Sequence, residues 1–224
     1  ERKVPFGLKD YNMWLGPAPE AYYCPARLHV NWRWILDYSG GQLTDWGAHY
    51  LDIAQWAMGH ESTGPREFTN LQGTFPVNPE LYNTATDFSW TCAYEDGLQM
   101  IVSTKERRGI TFEGDHGRWI FLDRKRLISH PSDIVETPIS EGMERIYESN
   151  DHVGNFVDCV FSGKPPIAPI EDAHRTITVA HLANIAMQLN RDKLTWDPVK
   201  ELVSNDKEAA QMLMRPYRQP WSLS

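Results

Sequence analysis

The chain has 224 residues, 41% of them apolar, and carries a formal charge of −8. This length and apolar content are enough for one hydrophobic core, so we predict a single domain over residues 1–224. Negative charge without a basic block argues against nucleic acid as a partner. The three cysteines, Cys24, Cys92 and Cys159, are too widely spaced for a disulfide framework or a cysteine metal clip.

The sequence contains no apolar run of the about 18 to 20 residues that a membrane helix needs. The opening residues Glu1, Arg2 and Lys3 do not lead into the apolar core of a signal peptide. We therefore expect no membrane partner and a cytoplasmic location. The alternative is export of the folded protein to the periplasm, because a longer parent protein could carry its signal ahead of Glu1.

Residues 1–39 are predicted to form an ordered, extended arm rich in proline and aromatic side chains. Pro17, Pro19 and Pro25 oppose a regular helix there. The pair Gly40-Gly41 then interrupts the backbone just before a periodic run. That run predicts a helix over residues 42–58, ended by a glycine.

The middle of the chain consists of short runs rich in β-branched and aromatic residues. Asp96-Gly97 predicts a hairpin between two of them, and the turn at residues 114–117 predicts another. The sequence therefore predicts an antiparallel sheet with strands at residues 67–75, 86–94, 98–105, 110–113 and 118–122.

Helical patterns return in the last third of the chain, separated by proline-containing breaks. The predicted helices cover residues 152–162, 171–190 and about 205–214. Helices that follow a run of strands indicate an α+β domain. We predict an open, mostly antiparallel β-sheet with helices packed on one face.

The predicted helix at residues 42–58 has two distinct faces. Each residue of a helix advances by about 100°, which groups the ionisable side chains into one exposed stripe. That stripe holds Asp45, His49, Asp52 and Trp56. A second, mostly apolar stripe is predicted to be the buried face. It holds Leu43, Trp46, Tyr50, Ile53, Ala54 and Ala57.

Asp45 and His49 are the strongest catalytic candidates. An imidazole suits proton transfer to or from an alcohol, and a carboxylate one turn away can orient it or hold its charged form. The same spacing also occurs in plain pairs on solvated helix faces. Two glycines ahead of the pair, Gly47 within it and many nearby aromatics favour a site.

The segment SGGQLTDWGAHYLDIAQWAMG at residues 39–59 resembles the GGGxLxDxGxHxxD motif of the Gfo/Idh/MocA oxidoreductases, where it opens the C-terminal domain. The strings WLGPAP, NWRW and LTWDP resemble a bacterial branch of that family, so the resemblance spans nearly the whole chain. It implies that Asp45 and His49 are catalytic, with His49 as the general acid/base. It also implies a third catalytic group, a lysine in a Glu-Lys-Pro motif of an N-terminal Rossmann domain.

The chain contains neither Glu-Lys-Pro nor a GxGxxG loop that follows a strand and opens a helix. We therefore expect no Rossmann domain here and no activity from this chain alone. The resemblance implies NAD or NADP as cofactor, bound mainly by the absent N-terminal domain, which becomes a partner of this one.

Six further residues are candidates for binding a sugar or polyol substrate. Aromatic rings pack against the C–H faces of sugars, and a guanidinium can hold a hydroxyl or carboxylate. For each of them, a structural role in core packing, in fastening the arm or at a helix start is an open alternative. The candidates are Arg27, Trp32, Arg33, Trp46, Asp52 and His152.

Two other functions stay open. Asp45, His49 and His181 could form a metal site, which would indicate a metal-dependent lyase or epimerase, although we expect no metal. Redox-assisted elimination or hydrolysis of a sugar is a related outcome. The chain could instead be a non-catalytic carbohydrate-binding or oligomerisation module. In either case we expect a homo-oligomer formed through the exposed face of the sheet.

Overall fold

The structure is a computed structural model that describes residues 4, 10–143 and 145–222. The helices in these residues are α1 (Tyr11–Leu15), α2 (Gln42–Ala57), α3 (Asp133–Glu136), α4 (His152–Ser162), α5 (Ile170–Gln188) and α6 (Lys207–Gln211). The strands are β1 (Glu67–Thr74), β2 (Asp87–Ala93), β3 (Gln99–Ser103), β4 (Ile110–Glu113), β5 (Trp119–Leu122), β6 (Leu127–His130), β7 (Lys193–Asp197) and β8 (Leu202–Val203).

The strands form two antiparallel sheets. The larger has the order β3-β2-β1-β7-β8 and the smaller the order β4-β5-β6. The α+β prediction of antiparallel strands with packed helices is confirmed. The strands predicted at residues 110–113 and 118–122 pair with each other, and the second also pairs with β6, so that the three form a sheet of their own. Strands β6, β7 and β8 were absent from the prediction.

The core lies between the larger sheet and α5. In β2 and β7 every second side chain is buried, as the two-residue period of a strand requires, and these include Trp90 and Leu194. In β1 only Phe68 is buried. Ala183 and Ala186 are fully buried on α5 and let its backbone approach the sheet closely. Cys92 also lies here as a free thiol, and burial raises its pKa to about 12, so that it stays protonated.

The buried face of α2 differs from the prediction. Leu43, Thr44, Leu51 and Gln55 are buried, whereas most of the predicted apolar stripe is only half-buried. Polar side chains are tolerated in the interior because their hydrogen bonds are satisfied. The Thr44 hydroxyl accepts from the Gly40 amide at 3.1 Å, and Gln55 accepts from the Tyr94 hydroxyl at 2.9 Å.

The described part of the N-terminal arm is not extended. Residues 1–3 and 5–9 of the predicted arm lie outside the described residues. The rest contains α1 and two 3₁₀ helices, Pro25–Arg27 and Asn31–Trp34. Pro25 occupies the first position of its helix, where a fixed φ and a missing N–H are tolerated. Arg218 fastens the arm by donating to carbonyl oxygens of Ala18 and Gly16 at 2.9 and 2.8 Å.

Helix α4 has the predicted bounds, but its apolar side is uncovered. Every large apolar side chain of this helix is exposed, and the most exposed, Phe161, has 86% of its surface accessible. Near its N-terminal end the helix is tied to the following segment, where Asn155 accepts from the Ile167 amide at 3.0 Å. The exposed side chains recur at the spacing of a single helix face. They are Val153, Phe156, Val157, Val160 and Phe161.

No helix in the described part of the chain combines the length and the apolar character needed to cross a membrane.

Candidate active site

Asp45 and His49 lie on the solvent-facing side of α2. His49, Asp52 and Trp56 are exposed, and the Asp45 side chain retains 26% of its accessible surface. Asp45 falls in the first turn of the helix, where the backbone dipole favours a carboxylate. The exposed stripe predicted from the helical period is therefore present in the structure.

Asp45 pairs with Arg33 rather than with His49. The Arg33 Nε donates to Asp45 Oδ2 at 3.1 Å, and the two candidates form no ion pair with each other. The expectation that Asp45 holds His49 directly is thus not met. Arg33 carries a permanent charge and a fork of donors, so it is the stronger partner for the carboxylate. The His49 nitrogens have no hydrogen bond to another described residue and can accept an incoming hydroxyl.

Trp46 lies at the centre of the site. Its indole meets the His49 ring edge-on and stacks with the Tyr50 ring, both at 6.2 Å between centroids. The guanidinium carbons of Arg108 and Arg124 lie 5.0 and 4.4 Å from the centre of the same indole. The prediction placed Trp46 on the buried face, yet it is only half-buried. Its ring therefore remains partly accessible beside His49.

Sequence reasoning missed the two arginines on Trp46. Arg108 precedes β4 and Arg124 lies in the turn between β5 and β6. The registers pair Ile110 with Leu122 and Leu122 with Leu127, which places both arginines at one end of the smaller sheet. The signal was present in the basic strings KERR and DRKR at the ends of the runs. To see that these strings lie at the same end of one sheet, the third strand, β6, must also be known.

Asp52 belongs to a hydrogen-bond chain that fixes α2 on the core. Its carboxylate accepts from the Thr176 hydroxyl of α5 at 3.1 Å. Gln55, one turn-length away on α2, donates to the same hydroxyl at 3.5 Å and accepts from Tyr94. Burial raises the pKa of Tyr94, which keeps it a neutral donor. These hydrogen bonds link α2 to α5 and to Tyr94, the residue that follows β2, so they position the helix that carries the catalytic candidates.

The other three predicted substrate-binding residues are Trp32, Arg27 and His152. Trp32 is 38% exposed in the 3₁₀ helix that also carries Arg33. Arg27 is buried inside the arm, 5.0 Å from the Tyr22 ring centre, and donates to the Tyr38 hydroxyl at 3.3 Å. His152 is exposed at the start of α4. The structure brings Arg33 and Trp46 to Asp45 and His49, and it does not bring Arg27 or His152 there.

A metal site of three side chains is not formed in the described residues. No group of three or more His, Cys, Asp or Glu side chains among them is placed to hold a metal ion. His181, the third ligand of the metal alternative, lies on α5, where burial and the nearby Arg215 lower its pKa. The ligands that the metal-dependent alternative requires therefore do not converge.

The sequence matches a known family over almost its whole length. Residues 1–223 match the model of the oxidoreductase family, C-terminal alpha/beta domain, of the Gfo/Idh/MocA group. The chain belongs to this family. The antiparallel sheets and the α2 motif described above are therefore those of a Gfo/Idh/MocA C-terminal domain. No curated protein matches the sequence.

Comparison with solved structures finds likenesses at low sequence identity, one of them with a TM-score of 0.50. An NAD-binding protein from Listeria innocua is 15% identical with a TM-score of 0.50, and the match covers 75% of this chain and 55% of that one. An aldose-aldose oxidoreductase from Caulobacter crescentus, complexed with glycerol, is 13% identical with a TM-score of 0.46, over 73% and 50% of the two chains. An oxidoreductase from Thermotoga maritima is 15% identical with a TM-score of 0.46, over 75% and 48%. The chain thus spans about half the length of the solved structures it matches.

Proposed function

We propose that this domain is the substrate half of an NAD(P)-dependent oxidoreductase that acts on a hydroxyl of a sugar, polyol or keto-sugar. The observation that carries the proposal is the position of His49 on α2, exposed and without a partner among the described residues. It stands beside the accessible indole of Trp46 and one turn from the Asp45–Arg33 pair. An acid/base group, an aromatic face and a fixed charge suit the deprotonation and positioning of a sugar hydroxyl.

In the proposed mechanism His49 takes the proton of the substrate hydroxyl while the carbon is oxidised, and returns it in the reverse direction. Asp45 acts through its charge, because residues four apart on a helix are neighbours and a nearby carboxylate stabilises an imidazolium. The hydrogen bond from Arg33 fixes the direction of the Asp45 carboxylate. In this proposal the exposed part of Trp46 packs against the apolar face of the sugar ring, and Trp32, exposed next to Arg33, extends that surface.

When bound, NAD(P) supplies the acceptor for the hydride. The residues of this chain fit the substrate side of the reaction, since no glycine-containing segment among the described residues forms a strand–loop–helix cradle for a pyrophosphate. We propose that an N-terminal Rossmann domain of the parent protein binds the cofactor and contributes the third catalytic group, a lysine. The uncovered apolar side of α4 offers that domain a surface on which to pack.

We also propose a homo-oligomer formed through the face of the larger sheet that the helices leave open. Ile101 points to this face and is 72% exposed, and its pairing partner Thr91 lies beside it. β-Branched side chains on an uncovered sheet face suit packing against a second copy. The free cysteines agree with a cytoplasmic location, where thiols stay reduced.

The test is an assay of the full-length protein with NAD and NADP against a panel of aldoses, keto-sugars, uronates and polyols. We expect at least one of them to reduce the cofactor, seen as nicotinamide absorbance, and residues 1–224 alone to show no turnover. Metal analysis of the same preparation provides the control. Stoichiometric zinc or manganese, with product formed only when it is present and no cofactor reduced, would favour the lyase or epimerase alternative.

A further inference from the structure

Arg108 and Arg124 are held at the candidate site without a carboxylate partner in the described part of the chain. Both guanidiniums contact the ring of Trp46, at 5.0 and 4.4 Å from its centre. By contrast, five other arginines of the described residues form ion pairs with carboxylates. These are Arg33, Arg66, Arg126, Arg175 and Arg191. Arg108 and Arg124 are thus among the arginines of the described residues that no carboxylate neutralises, and these two share one indole ring.

The contact with the indole leaves the arginines able to bind an anion. A guanidinium attracted to an aromatic face keeps N–H groups at its rim, and those donors match the oxygens of a carboxylate or a phosphate. Asp123, adjacent to Arg124 in sequence, does not compete, because its carboxylate accepts from the Arg126 side chain and from two backbone amides. These bonds lower the pKa of Asp123 to about 2. Two cations at one ring also repel each other, which an anion would relieve.

We infer that the sugar handled at His49 is anionic, and that Arg108 and Arg124 bind its carboxylate or phosphate group. The inference rests on the proposed function, because it assigns the substrate class of the same site. Trp46 joins the two ends of such a molecule, since its indole contacts both arginines and the His49 ring. A sugar bound beside the part of the indole that Tyr50 and the arginines leave uncovered can therefore place its anionic group at the arginines and a hydroxyl at His49.

The competing explanation is structural. Arg108 and Arg124 both come from the smaller sheet, so their contact with Trp46 would also fasten that sheet to α2. In that case their removal would lower the melting temperature and would leave the ratio of charged to neutral ligand affinity unchanged. The two explanations therefore differ in a measurable ratio.

The test is calorimetric titration of the full-length protein, with NAD or NADP present, by D-glucose, D-glucuronate, D-gluconate and D-glucose 6-phosphate. We expect one of the anions to bind at least about tenfold more tightly than glucose, the scale of one charge-assisted hydrogen bond. The pattern among the three anions distinguishes a carboxylate from a phosphate ligand. The double variant Arg108→Gln/Arg124→Gln should bring the ratio close to one, and each single variant should lower it.

Lys125→Gln is the matched control, because it removes one positive charge from the same turn without touching Trp46. It should leave the ratio within about twofold of the wild-type value, as for a screened surface charge. Equal affinities for glucose and all three anions in the wild-type protein would overturn the inference. An unchanged ratio in the double variant, or an equal loss in Lys125→Gln, would overturn it as well.

His49→Ala separates this inference from the proposed function. We expect it to lose turnover and to keep the preference for the anion. If the arginine-dependent preference is found but no sugar reduces the cofactor, the anion site stands and the proposed oxidoreductase activity fails. If sugars are oxidised through His49 with no preference for anions, the activity stands and the anion site fails.

Discussion

Replacement of His49 by alanine in the full-length protein is expected to lower kcat by about 10²- to 10⁴-fold, the usual contribution of a general acid/base. Cofactor affinity should stay within about threefold of the wild-type value, because His49 lies on the substrate half of the site. The comparison needs kcat and KM for the best substrate of the panel and the Kd of NAD or NADP. Since His49 is exposed, its loss should not disturb the core.

His174→Ala is the matched control for that experiment. His174 is also an exposed histidine on a helix, α5. Its ring nitrogen lies 2.8 Å from the Glu201 carboxylate, and it makes no contact with Trp46. It should retain turnover within about twofold, as expected of an exposed ion pair remote from the reacting atoms. Turnover by His49→Ala at the wild-type rate would show that His49 has a structural role and that another group moves the proton.

The largest expected change in stability comes from Gly41→Ala. Gly41 precedes α2 with φ 73° and ψ −155°, a combination that only glycine adopts readily. A Cβ at this position would lie 2.5 Å from the side chain of Thr84, which is buried. We expect the free energy of unfolding to fall by about 2 to 4 kcal/mol, measured by equilibrium denaturation. The start of α2 would then shift, and with it Asp45.

Gly47→Ala provides the same chemical change within the same motif at an unstrained position. Gly47 lies inside α2, and an added Cβ would meet Leu51 at 3.7 Å, an ordinary van der Waals distance. Because alanine has a higher helix propensity than glycine, the free energy of unfolding should rise by up to about 1 kcal/mol. If Gly41→Ala and Gly47→Ala lowered the free energy of unfolding equally, the requirement for glycine at position 41 would be contradicted.

The parts of the fold that could be predicted are those set by local patterns. The exposed side of α2, the bounds of α4 and the pairing of β2 with β3 across Asp96-Gly97 follow from helical period, capping and turn chemistry. The buried side of α2 could not be predicted in this way. Thr44 and Gln55 are polar, and only their hydrogen bonds to distant or backbone groups make burial favourable.

The part of the candidate site that could be predicted is also the part set by a local pattern. Asp45 and His49 share a helix, so spacing alone brings them to one side of it. The pairing of Asp45 with Arg33 and the approach of Arg108 and Arg124 to Trp46 depend on contacts between separate elements. Two strands that were not predicted contribute to these contacts between elements. β6 completes the arginine-bearing sheet, and β7 pairs with β1 in the core.

The most direct test of the proposed catalytic role is a crystal structure of the full-length protein with NAD or NADP and its substrate. We predict that the reacting hydroxyl lies within hydrogen-bond distance of a His49 ring nitrogen, about 2.6 to 3.2 Å. The sugar should lie against Trp46, and the nicotinamide should approach from a separate domain. A substrate bound away from α2, with His49 still facing solvent, would contradict the assignment of α2 as the catalytic helix.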